Sequence, residues 1–261
     1  MRFYLIDPSF ELLTEMEDAG VTGNLLTYHS KESDYFIKVA RDIDIHKKIK
    51  YMVAIRPHVL SPEYLVRLNE SIKQISKGDR LQINLVSGEI NDEEYEMDRT
   101  LGTVTNKSNS KERSDYLIEY VKLLNQLPQN EKPDYYVSIT NDFTFEAASK
   151  YNAKMIVPYL KYMHEKYDLS DNKIMIYFCP VMRKTQEELD NLVGYNIKEI
   201  KDVAFTYDEM TSVLNKLEDD GIEEVMLSSW NAEDIKINLD FIKDYNYKKG
   251  KKQWKTLCYQ H

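Results

Sequence analysis

The sequence predicts an α/β fold, a (β/α)8 TIM barrel, and three observations carry that prediction. Eight short β-prone runs are spread along 261 residues. Segments with helical periodicity separate them. Strand–helix alternation of this kind pairs strands in parallel through right-handed crossovers. Eight units suit closure into a ring, with an open doubly wound sheet as the competing arrangement. No internal repeat or low-complexity linker divides the chain, so residues 1–261 read as one domain.

In chain order the expected strands are Arg2–Ile6, Asn24–Thr27, Lys50–Ile55, Leu81–Val86, Asp134–Ile139, Lys154–Val157, Lys173–Phe178 and Glu224–Leu227. The clearest helix spans Ser61–Lys77. Ser61 suits the N-cap and Pro62 the first helical position, and Leu65, Leu68, Ile72 and Ile75 form one apolar stripe that Gly78 brings to an end. A second spans Thr206–Asp220, opened by a Thr206/Glu209 capping box, with Met210, Val213, Leu214 and Leu217 inward and Gly221 as the stop. Ser110–Leu127 carries a further stripe, Leu117, Tyr120, Val121 and Leu124, which suits packing on the barrel or pairing with a second copy.

Composition narrows the function classes. With 42% apolar and 30% charged residues the chain can bury a core and cover it. A formal net charge of -9 argues against nucleic acid as a partner, because phosphate backbones need a basic face. No run approaches the roughly 18 apolar residues of a membrane span. MRFYLIDPSF lacks a signal-peptide plan, and two cysteines, Cys179 and Cys258, build neither a disulfide framework nor a CxxC site. The expectation is a cytoplasmic protein.

In a barrel of this type the loops after the strands form the active face. The residues found there are Tyr28–Glu32, Arg56-Pro57-His58, Ser87-Gly88-Glu89, Thr140-Asn141-Asp142, Tyr177 with Cys179 and Arg183, and Ser228–Asn231. His29 and His58 lack metal-ligand spacing, so no zinc site is expected. Nucleophile-elbow, P-loop and GxGxxG patterns are absent from the sequence. A phosphate can still rest on a helix start, where free amides and the dipole favour an anion, and Thr140-Asn141 opens such a helix. Ordinary capping explains the same two residues.

One stretch is more specific. Tyr51–Gly88 reads as an apolar strand, Arg56-Pro57, Ser61-Pro62 opening a helix, a turn at Ile75–Arg80, then Asn84-Leu85-Val86-Ser87-Gly88. It resembles the third strand, third helix and fourth strand of the bacterial luciferase-like flavin monooxygenases, especially their alkanesulfonate branch. Gly23–Phe36, Thr140–Ile156 and Thr206–Ser229 are similar to further segments of that superfamily, in the same order.

The resemblance implies an FMN-dependent monooxygenase, with reduced FMN supplied by a separate flavin reductase and O2 used to oxidise a small organic substrate. It places Asn84, Ser87 and Gly88 beside the flavin ring and Thr140 and Asn141 at its phosphate. His29, Glu32, Arg56, His58 and Tyr177 become the candidate catalytic residues. Arg56 would pair with an anionic group and His58 would act as acid or base. Glu32 stands where the alkanesulfonate branch has Cys, and Tyr177 and Cys179 where it has Arg and His. The chain is also shorter than typical members, with only about Leu192–Val203 in place of a long lid insertion. Sulfonate oxidation is therefore not the expected reaction. Two other readings stay open: a flavin-binding or partner protein that has lost catalysis, and a deazaflavin-dependent oxidoreductase.

Overall fold

The structure is a computed structural model that describes residues 1–27, 34–87, 110–164, 173–192, 194–195 and 200–258, without the side chains of 110 and 252–258. Its strands are β1 (Arg2–Ile6), β2 (Gly23–Leu26), β3 (Lys50–Ile55), β4 (Leu81–Leu85), β5 (Asp134–Ser138), β6 (Lys154–Pro158), β7 (Ile174–Phe178), β8 (Val181–Arg183), β9 (Ala204–Thr206) and β10 (Glu224–Leu227). The helices described are α1 (Leu13–Ala19), α2 (Tyr35–Asp42), α3 (Pro62–Ser76), α4 (Ser110–Gln126), α5 (Asp142–Lys150), α6 (Tyr159–His164), α7 (Gln186–Asp190), α8 (Tyr207–Asp219) and α9 (Ala232–Cys258).

Eight strands close into a barrel in the order β1-β10-β7-β6-β5-β4-β3-β2. The β1/β10, β3/β4, β4/β5 and β5/β6 pairs are parallel. The expected strands recur with ends shifted by at most one residue. Val86 and Ile139 fall outside β4 and β5, yet their amides still donate to the Ile55 and Ile156 carbonyls at 3.0 and 2.9 Å. Strands β8 and β9, a separate two-stranded parallel sheet, are not among the expected strands. Runs of three residues carry too little alternation to be read locally.

Two compact units make up the chain, residues 24–176 and residues 1–23 with 177–261. In the first, Tyr51, Met52, Ile83, Leu85, Tyr136, Val137 and Met155 are buried on adjacent strands. Strands this uniformly apolar suit a parallel sheet covered by helices. On α3, Ser61 caps the start and Pro62 sits in the first turn, as expected. The helix ends differently: Lys77 itself takes the left-handed conformation at φ 53°, so Gly78 is not the stopping residue. Leu65 and Ile72 are buried, but Ile75 lies 43% exposed, so the stripe covers less of the helix than its spacing suggests. On α4, Leu117, Tyr120, Val121 and Leu124 are all buried within the chain. That stripe is consumed in intramolecular packing.

In the second unit, Thr206 and Glu209 form the expected capping box on α8. Met210, Leu214 and Leu217 are buried and Val213 is half-buried. Edge-on ring contacts, Phe3 with Tyr245 at 5.4 Å and Tyr207 with Phe241 at 5.2 Å, fasten α9 into this core. Gly20 ends α1 at φ 79°, and a Cβ there would come within 2.8 Å of Asn246 Nδ2, which donates to the Ala19 carbonyl. Only glycine meets both demands.

Candidate active site

Alternation along β4 puts Gln82 and Asn84 on one side of the strand. Gln82 Nε2 donates to Asp134 Oδ2 at 2.8 Å, and Lys154 grips the other carboxylate oxygen. Nearer the carboxyl end, Ser138 Oγ donates to Asn84 Oδ1 at 2.9 Å. The result is a polar ladder across β4, β5 and β6, with Asn84 only 4% exposed.

Ser87 follows β4 and is equally buried, at 4% exposure. Its carbonyl accepts from Arg113 Nε of α4 at 3.1 Å. Its hydroxyl has no partner among the described residues. A buried hydroxyl without a hydrogen bond costs about 1–3 kcal/mol, a cost Ser87 Oγ shares with other buried polar atoms such as those of Asn24 and Ser149. Nothing local marks Arg113 as its backbone support; a buried guanidinium on an amphipathic helix has no short-range signature.

Asn141 caps α5. Its side-chain oxygen accepts from the Thr144 amide at 3.0 Å, and the Thr140 and Asn141 amides both donate to Thr144 Oγ1, at 3.0 and 3.1 Å. Asn141 is thus committed to the cap, whereas Thr140 is exposed. Asp142 adds a carboxylate to the first turn, which complements the helix dipole but repels a phosphate. After β3, Arg56 and His58 are half-buried, and the His58 ring lies 6.3 Å from the Tyr116 ring of α4. His29, Glu32 and Gly88 lie outside the described residues.

The other unit has its own polar cluster past β7 and β10. Burial pushes the Tyr177 hydroxyl above its ordinary value and the nearby Cys179 adds to the rise, while a hydrogen bond with Ser228 opposes it. Burial also raises the free Cys179 thiol, again against a Ser228 hydrogen bond. Both groups therefore keep their protons at neutral pH. The exposed Trp230 donates from Nε1 to the Cys179 carbonyl at 3.1 Å, and Asn238 Nδ2 holds the Ser228 carbonyl and Ser229 Oγ at 3.1 and 2.9 Å.

Beside them Arg183 Nη1 pairs with Asp234 Oδ1 at 3.1 Å, with the Asp234 side chain 2% exposed. Tyr195 Oη donates to Asp234 Oδ2 at 2.7 Å and receives Asn231 Nδ2 at 2.7 Å. Asn231 to Asp234 is a readable cap spacing, and the Asp234 amide does donate to Asn231 Oδ1 at 3.0 Å. The Arg183 partnership, across 51 residues, is not readable that way.

Among the described residues no group of three or more His, Cys, Asp or Glu is placed to hold a metal ion. No helix among them is long and apolar enough to cross a membrane.

No family model matches the chain. Solved structures do. Apo-MsnO8 aligns at TM-score 0.71 with 12% identity, over 94% of this chain and 98% of that one. The riboflavin lyase RcaE, solved with modified FMN and riboflavin, aligns at 0.67 with 12% identity, over 96% and 92%. EDTA monooxygenase from Chelativorans sp. BNC1 aligns at 0.65 with 10% identity, over 96% and 94%. The fold is shared.

Proposed function

We propose that the chain works as a single luciferase-like barrel domain, an FMN-dependent monooxygenase acting on a small organic substrate with O2. The observation that carries this reading is the buried, unpartnered Ser87 hydroxyl at the carboxyl end of β4, three residues beyond Asn84. Other buried hydroxyls also lack a partner, and what sets Ser87 apart is its place just past the carboxyl end of β4, where a barrel of this type binds its ligand. The shared fold with EDTA monooxygenase and with a riboflavin lyase solved with modified FMN supports the same cofactor class.

In this reading Asn84, Ser87 and Gly88 contact the flavin ring, and the Thr140 hydroxyl meets the phosphate at the start of α5. Asn141 shapes that seat through its cap instead of touching the ligand. Reduced flavin, delivered by a separate reductase, supplies the electrons for oxygen activation. The chain's own residues bind, orient and move protons. Tyr177 Oη, kept protonated by burial, is a hydrogen-bond donor at neutral pH. Arg56 pairs with an anionic substrate group and His58 exchanges protons. His29 and Glu32 complete the candidate set of proton-handling residues.

Titration of the protein with FMN, followed by its visible spectrum and fluorescence, tests the reading. Ser87→Ala weakens FMN binding about tenfold, equivalent to about 1.4 kcal/mol. It leaves folding stability unchanged or slightly higher, because the hydroxyl it removes has no partner to lose. Equal FMN affinity in wild type and variant contradicts the assignment. A second reading has one observation behind it: the coenzyme F420-dependent tetrahydromethanopterin reductase from Methanopyrus kandleri aligns at TM-score 0.59 with 11% identity, over 93% of this chain and 97% of that one. A parallel titration with a deazaflavin separates the two, since only the preferred cofactor saturates the site.

A further inference from the structure

We propose that a groove at the amino-terminal ends of β4, β5 and β6 is a second small-molecule site, for a phosphorylated ligand carrying at least two negative charges. The candidate flavin edge lies at the opposite ends of the same strands, so this site is independent of the proposed function.

The groove encloses about 730 Å³, and Lys73, Lys132, Lys154 and Lys173 line it together with only two carboxylates, Asp79 and Asp134. That volume falls within the range of roughly 300–1,000 Å³ typical of small-ligand sites. The excess of ammonium groups stands out in a chain whose net charge is -9.

Pairing within the groove is incomplete. Lys73 Nζ meets Asp79 Oδ1 at 2.9 Å, and Lys154 meets Asp134 Oδ1. Asp134 is fixed on its second oxygen by Gln82 Nε2 at 2.8 Å, so it is not free to turn towards another lysine. Among the described residues no carboxylate pairs with Lys132 or Lys173. Lys132 instead donates to Asn125 Oδ1 and lies 5.4 Å over the Tyr135 ring. Burial pushes its ammonium below the ordinary lysine value. A positive charge drawn partly out of water without a counter-ion costs free energy that a bound anion recovers.

The lining also defines the class of ligand. Two unpaired ammonium groups act as point charges with several donors each, which suits phosphate oxygens. Asn152 adds an amide group for a hydroxyl or a further oxygen, and Tyr151 offers a ring beside it; the Asn125 amide is already taken by Val121, Tyr135 and Lys132. The described lining holds no Ser, Thr, Cys or His, and binding is the role proposed for it.

Isothermal titration of the full chain with inorganic pyrophosphate tests the proposal, against sodium chloride at matched ionic strength. Saturable binding to the wild type is expected, weakened about tenfold or more in the Lys132→Gln/Lys173→Gln double variant. FMN binding and the far-UV circular dichroism spectrum stay at wild-type values, because both substitutions lie away from the flavin edge and neither breaks an ion pair. Binding also raises the Lys132 ammonium pKa, read by NMR of the labelled side chain. Three results overturn the proposal: no saturable heat, equal affinity in the double variant, or the same heat from chloride alone.

Discussion

The Arg183–Asp234 pair offers the sharpest test of how the unit built from residues 1–23 and 177–261 is held. Asp234→Ala removes a side chain that is 2% exposed and leaves Arg183, 12% exposed, without its counter-charge. Arg183 keeps the Met182 carbonyl, at 2.6 Å from Nη1, and the Tyr195 ring 5.8 Å away, neither of which is a counter-charge. Breaking one side of a buried ion pair costs about 3–5 kcal/mol. Tyr195 keeps the Asn231 amide as donor but loses its acceptor, which adds roughly 1 kcal/mol. With the two effects overlapping, a loss of about 4 kcal/mol is expected, or about 8–16 °C in Tm for a chain of this size. Urea unfolding followed by far-UV circular dichroism measures it. The double variant Arg183→Met/Asp234→Leu should recover most of the loss, because two apolar side chains carry no desolvation penalty. An Asp234→Ala loss under about 1 kcal/mol refutes the reasoning, as does a double variant as unstable as the sum of the single ones.

Other expectations follow from single groups. Arg80 donates from Nη1 to the His46 carbonyl at 2.5 Å and from Nη2 to the Ile43 carbonyl, binding the loop before β3 to the turn before β4. Arg80→Ala should cost about 3 kcal/mol in urea unfolding, and Arg80→Lys should restore little, because an ammonium lacks the fork that reaches both carbonyls. Burial pushes the Tyr135 hydroxyl up to about 12 despite a hydrogen bond from Asn125, and pushes Tyr207 up to about 12 with help from the Asp240 and Asp244 carboxylates. A phenol held neutral in the folded chain contributes stability that is whole below the unfolded value near 10 and is lost as pH rises towards the folded one. Ultraviolet titration should therefore show these two phenols ionising late, with stability falling between about pH 10 and 12. Tyr207→Phe should remove one late-titrating group, and an unchanged late phase in that variant contradicts the burial argument.

Several features of the site are legible in the amino-acid sequence. Ser61-Pro62 and Thr206/Glu209 announce helix starts because capping is settled within four residues. Asn84 and Ser87 are singled out by the resemblance of Tyr51–Gly88 to the luciferase-like pattern, and the structure adds that one is engaged by Ser138 and the other is buried without a partner. Thr140-Asn141 is a helix start as read, yet its amides turn inward to Thr144. That detail depends on a side-chain rotamer, which spacing does not encode. The fate of the α4 stripe was open in the same way: amphipathicity says that a face is buried, not against what.

What this sequence determines alone is the succession of strands and helices, because alternation, caps and stops act over a few residues and each of the eight barrel strands has its own short apolar run. Tertiary structure decides the rest. The three-residue strands β8 and β9 exist only through each other. Arg113 supports Ser87 from 26 residues away, Arg183 reaches Asp234 across 51, and Lys132 keeps an uncompensated charge because Asp134 is already taken. Such pairings are set by which chain segments folding brings within hydrogen-bond reach in a poorly solvated interior, and no local pattern records that.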